Sequence, residues 1–138
     1  MSHQIKQILN RSAEVKALMV ERCSEVAEDA AQMIATSLNA GGKFLLCGNG
    51  GSAGDAQHLA AEFVSCLDHK AHPRPGLAAL AARDKNIKII SFTGEGGGDL
   101  AALSDVLIAV PSHITMHIQE CHIAIGHAII ARVETLCS

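Results

Sequence analysis

The stretch that most restricts what this chain can become runs from Lys43 to Glu62, where a short apolar run meets a turn of glycines and then a helix-forming segment. Lys43-Phe44-Leu45-Leu46 ends in Cys47-Gly48-Asn49-Gly50-Gly51-Ser52, which predicts a buried parallel strand entering a tight turn. Gly48, Gly50 and Gly51 allow the backbone to approach a ligand closely, and Ser52 then stands at the start of a helix beginning near Ala53. Free N–H groups and the helix dipole favour an anion there, so Asn49, Gly50, Gly51 and Ser52 are candidate phosphate contacts. The plain alternative is a structural turn with no ligand. The run lacks the third glycine of the dinucleotide fingerprint, and no Gly-Lys-Ser/Thr follows, which disfavours nicotinamide cofactors and nucleoside triphosphates.

His58 and Glu62 lie four apart on the expected helix, share one face, and can converge on a metal or a substrate. They sit within three turns of the phosphate cradle, roughly one sugar length away at ~1.5 Å rise per residue. The competing reading is an exposed ion pair on a solvated face.

The chain has 138 residues, of which 49% are hydrophobic, enough for one core and one domain over 1–138. Its 11 Lys+Arg and net charge of −3 give no basic patch for nucleic acid. Cys23, Cys47, Cys66, Cys121 and Cys137 are odd in number, widely spaced and without a C-x-x-C pair, as expected of thiols in a reducing compartment. The N-terminus is amphipathic and interrupted by charges, with no signal core or membrane span, so a cytoplasmic protein is expected.

Periodicity predicts a helix through Ile5, Ile8, Leu9, Val15 and Leu18-Met19, then a second from about Ser24 to Leu38 ending at Gly41-Gly42, so that roughly 1–40 is helical. A sheet core spans about 43–110. It contains a loop at 71–76, a helix-like stretch near Leu77–Arg83, strands at Ile87–Phe92 and Val106–Val110, and a flexible loop at Thr93–Gly98. A final helix covers roughly 115–136. Alternating strands and helices predict an α/β fold with a parallel sheet that binds ligand at the strand C-terminal ends.

The segment GGKFLLCGNGGSAGDAQHLAAEFV closely resembles the sugar isomerase (SIS) fold, and within it the phosphoheptose isomerases. PSHITMHIQECHIAIGHAI resembles the C-terminal helix of the same family. The resemblance implies a three-layer αβα architecture with N-terminal helices, and metal ligands at His58, Glu62, Gln119 and His127. Gln119 and His127 are eight apart, two turns plus about 80°, so they occupy neighbouring faces and can reach one site. Nitrogen and oxygen ligands with an open position suit Zn²⁺, Gln being an unusual ligand.

The implied chemistry is conversion of D-sedoheptulose 7-phosphate to D-glycero-D-manno-heptose 7-phosphate through a cis-enediol, on the route to ADP-heptose and the lipopolysaccharide core. Glu62 is the expected base at carbon and His127 the acid or base at oxygen, roles that are interchangeable at this level. Glu62, Thr115 and Gln119 join the glycine loop as substrate contacts. The resemblance also implies a homotetramer with sites between subunits, matching N-terminal helices richer in apolar surface than one small sheet can cover.

Two departures stand out. Between Arg74-Pro75-Gly76 and Ala82-Arg83-Asp84, full-length relatives carry further strands, helices and a serine-rich phosphate loop, so the join near 77–81 is expected to mark an omitted segment. A genuine deletion would instead leave a remnant that does not hold phosphate fully. His117 and Met116 stand where relatives have Arg or a polar residue. The alternative function is a non-catalytic SIS module that binds sugar phosphate or associates with a replication initiator. Relatives of that kind lack counterparts of Glu62 and His127, and both are present here.

Overall fold

The computed structural model describes residues 2–66 and 85–137, with side chains over 3–60 and 85–137. Its first element, α1, is a single helix over Ser2–Asn39, ~57 Å long at 1.5 Å per residue. Two helices were expected here. No glycine or proline interrupts 20–25, and Ser24, the expected start of the second helix, turns its hydroxyl back to donate to the Val20 carbonyl inside the helix. Val15, Met19, Cys23, Ala27, Ala30, Ala31, Ile34 and Ala35 form the buried stripe, at spacings of one helix face. Earlier in α1 the surface is open, with Ile5 and Leu9 each 63% exposed.

α1 ends as the sequence predicts. Gly41 takes φ +77°, and the N–H groups of Gly41 and Gly42 donate to the carbonyls of Leu38 and Ser37 at 2.9 and 2.8 Å, closing the helix with a left-handed glycine. The Lys43–Leu46 run that follows is not in a sheet, which corrects the expected first strand. Phe44 and Leu46 are half-buried while Lys43 and Leu45 are exposed, an alternation typical of extended chain, and Phe44 packs on the core. Extended chain becomes a strand only by exchanging ladder hydrogen bonds with a neighbour, and among the described residues the ladder joins 90–93 with 106–109 and does not include this run.

The helix α2 covers Gly51–Cys66. Among the described residues the sheet is a parallel pair, β1 (Ile90–Thr93) and β2 (Val106–Ala109), in register from Ile90↔Val106 to Thr93↔Ala109. A parallel pair needs a crossover, and residues 94–105 supply it with a 3-10 turn at Gly98–Leu103. Asp105 pins the strand entry: its carboxylate accepts from the Ile89 N–H at 2.8 Å and from Lys88 Nζ at 2.6 Å. α3 runs over Thr115–Cys137. Both strands and the final helix fall within a few residues of their expected places, whereas the expected loop at 71–76 and helix near Leu77–Arg83 lie outside the described residues.

The result is an α/β unit with a parallel sheet. Its core joins α1, β2 and α3 through Val15, Ile108, Val110, Cys121 and Val133, all nearly inaccessible. α3 therefore has two jobs: one face closes this core, and another meets α2.

Candidate functional site

The site begins at the turn into α2. Gly50 adopts φ +56°, and the N–H groups of Ser52 and Ala53 donate to the carbonyls of Asn49 and Gly50 at 3.1 Å, folding the loop onto the first helical turn. A side chain at Gly48 would meet the Ser52 carbonyl oxygen at 2.2 Å, so the loop closes only with glycine there. Asn49, Gly50 and Gly51 are exposed and Ser52 is half-buried, leaving the helix start open to solvent.

α3 then crosses α2. Gln119 lies against Gly51: a Cβ built on that glycine would stand 2.0 Å from Gln119 Nε2. Two turns further along α3, His127 meets His58. Their Nε2 atoms are 3.0 Å apart across 69 residues of sequence, with the rings edge-on at a 5.2 Å centroid separation and 69°. One ring must carry its proton on Nε2 and the other present a lone pair. Both histidines are exposed, and beside His127 a cleft of about 240 Å³ is lined by Ile130, Ala131 and Glu134. Thr115 is exposed one turn before Gln119.

The structure thus brings His58 and His127 together, and Gln119 onto the glycine loop. Glu62 follows His58 by one turn of the same helix, and its side chain lies outside the described set. Among the described residues no group of three His, Cys, Asp or Glu side chains is gathered. The His58–His127 pair nevertheless fits a metal: two nitrogens on one tetrahedral zinc at about 2.0–2.1 Å stand about 3.3 Å apart, a few tenths of an ångström from the observed separation.

Three further polar groups lie near the site, to which the sequence assigned no role. His117 is only 3% exposed and faces the core, its Nδ1 without a hydrogen-bond partner among the described residues, so it does not stand in for an arginine at a ligand. The spacing His117, Cys121, Ile125 is that of the buried stripe, a signal that the sequence did carry. His122 is buried against the end of β1, with Nε2 3.2 Å from the Thr93 carbonyl and its ring edge-on to Phe92. Burial pushes its pKa down, against the Thr93 carbonyl and the Asp55 carboxylate, which favour the charged ring. Asp55, one turn before His58, has a buried Oδ2 with no hydrogen-bond partner among the described residues.

This glycine loop running into a helix, closed by a C-terminal helix, has known counterparts. Residues 7–89 match the SIS domain family. The phosphoheptose isomerase of Rhodospirillum rubrum is 39% identical, the match covering 84% of this chain and 89% of that protein. The chain belongs to the phosphoheptose isomerase family. The Aquifex aeolicus phosphoheptose isomerase is 32% identical, the match covering 99% of this chain and 97% of the relative. Among solved structures, the phosphoheptose isomerase of Neisseria gonorrhoeae superposes with a TM-score of 0.85 at 26% identity, over 97% of this chain and 98% of that one. By family this chain is an isomerase of phosphorylated sugars. The match to the Aquifex relative runs over 186 positions against the 138 residues of this isomerase, so the relative carries a stretch with no counterpart here. Among its described residues no helix is long and apolar enough to cross a membrane.

Proposed function

We propose that this isomerase interconverts D-sedoheptulose 7-phosphate and D-glycero-D-manno-heptose 7-phosphate through a cis-enediol, in the cytoplasm, on the way to ADP-heptose and the lipopolysaccharide core. The observation that carries the reading is the 3.0 Å approach of His58 to His127, with Gln119 seated on the glycine loop four residues after Thr115. Residues far apart in sequence meet beside a helix start suited to a phosphate.

In this scheme the loop from Asn49 to Ser52 holds the phosphate, and Gln119 and Thr115 orient the sugar hydroxyls. Glu62 removes a proton from C1 of the ketose while O2 gains one, which gives the enediol. The proton then returns to C2 and O1 releases its own, leaving the aldehyde. His127 moves the oxygen-bound protons. Because its Nε2 is turned to His58, the nitrogen left for a substrate oxygen is Nδ1. When bound, a Zn²⁺ held by His58, Glu62, Gln119 and His127 would polarise the carbonyl and steady the enediolate. Such proton transfers need a site sheltered from water, and both histidines are exposed in one chain. We therefore propose a homotetramer in which neighbouring copies cover them, an assembly supported by the exposed Ile5, Leu9 and Val20 on α1.

A second reading, a sugar-phosphate-binding module without turnover, draws on the relatives' additional stretch, since the serine-rich loop implied by resemblance falls in that interval. One experiment separates the two. Glu62→Gln and His127→Gln should each lower turnover of sedoheptulose 7-phosphate by ~10²–10⁴-fold while binding of the phosphate ester persists in calorimetry. Retained turnover in Glu62→Gln removes Glu62 from the mechanism, and a wild-type chain that binds the ester without converting it establishes the binding module.

A further inference from the structure

We propose that Gly126 is a positioning residue for the reaction: by having no side chain it seats Leu59, lets α2 and α3 approach, and so sets the distance between His58 and His127. The inference rests on the assignment of those two histidines to the site. A Cβ built on Gly126 would stand 2.8 Å from both Cδ atoms of Leu59 and 3.4 Å from its Cγ. Leu59 is itself only 7% exposed, so its methyl groups have little room to retreat. The contact is next in sequence to the site on both helices, since His58 precedes Leu59 and His127 follows Gly126. Whatever separates Leu59 from Gly126 therefore separates the two imidazoles.

Helix propensity argues the same way. Gly126 lies in the interior of α3, where alanine would be the better helix former. A glycine kept there at a cost to the helix is explained by the room it leaves for Leu59. Gly51 plays a parallel part at the other end of the crossing, where its missing side chain makes room for the Gln119 amide. The two glycines thus bracket the face of α3 that carries Gln119 and His127.

The test is Gly126→Ala, alone and combined with Leu59→Ala, in the full chain. Gly126→Ala should leave the thermal midpoint unchanged or raised, yet lower kcat for sedoheptulose 7-phosphate by up to ~10²-fold, the effect of misplacing reacting groups by about 1 Å. KM should change far less. The imidazole ¹⁵N resonances of His58 and His127 should shift in the same variant, a readout independent of turnover. Adding Leu59→Ala makes room for the new methyl and should restore most of kcat and the wild-type ring resonances. Wild-type kcat and unshifted resonances in Gly126→Ala would overturn the inference alone. Full turnover in both His58→Gln and His127→Gln would instead remove the site on which it rests, and the inference with it. A loss of kcat that tracks a fall in thermal midpoint and is not rescued by Leu59→Ala would reduce Gly126 to a packing residue.

Discussion

α3 meets α1 on one face and α2 on another, and the two junctions are built on opposite principles. Toward α1 and β2 it presents Cys121, Ile125, Ile129 and Val133, which are buried with Val15, Met19 and Ile108. That junction is also tied by charge. Lys16 Nζ donates to Glu120 Oε2 and to Ser12 Oγ at 2.6 Å, the Ser12 hydroxyl donates to the same carboxylate oxygen, and Arg132 Nε reaches both Glu28 oxygens at 2.8 and 2.9 Å. Toward α2 the contact is made by one leucine on a glycine, an amide on a glycine, and two exposed imidazoles. The difference teaches where precision is stored. The α1 junction holds α3 fixed through buried area, so the α2 junction can remain polar and open without loosening the fold.

The buried junction should carry most of the stability. Ile108→Ala should cost ~2–5 kcal/mol of unfolding free energy, the range for a fully buried aliphatic truncation, read from urea denaturation. A cost below that of a surface substitution would mean that the frame is not where stability lies.

The charged ties of the α1 junction should respond to pH. Hydrogen bonds from Lys16 and Ser12 hold the Glu120 carboxyl below its ordinary pKa. A depressed folded pKa contributes stability that is present above the unfolded value, about 4.3 for Glu, and is lost as pH falls through the folded one. Stability should therefore drop below about pH 4.3, and Glu120→Gln should flatten that part of the curve. Since both side chains are about two-fifths exposed, solvent screens the pair and the effect should be modest. An unchanged acid limb in the variant would assign it to other carboxylates, Asp105 first, whose pKa is lowered by Lys88 and the Ile89 N–H.

The smallest effect belongs to the rim. Arg132→Gln removes an exposed pair with Glu28 and should cost less than ~1 kcal/mol. A larger loss in the assembled protein than in dilute, dissociated chains would show that this rim is covered by a second copy.

Much of the fold was legible in the sequence because it is local. The closing glycines after α1, the turn into α2, the two strands at 90–93 and 106–109 and the span of α3 follow from apolar spacing and glycine chemistry. Two expectations failed for a reason that is not local. Ser24 resembles a helix start, but its hydroxyl is satisfied within the helix while Cys23 and Ala27 continue the buried stripe. Lys43–Leu46 resembles a strand, but a strand needs a ladder, and among the described residues the ladder joins 90–93 with 106–109 and leaves this run out.

For the site, residue types and spacing alone singled out the glycine loop and the His58–Glu62 pair, and the family resemblance added Gln119 and His127. Spacing within one helix states which side chains share a face, and nothing more. That His58 meets His127, that Gln119 rests on Gly51 and that Leu59 sits on Gly126 depend on how α2 and α3 cross. The crossing is set by the frame beneath it, where buried side chains from α1 and β2 fix α3 in place, and no stretch of sequence taken alone contains that information.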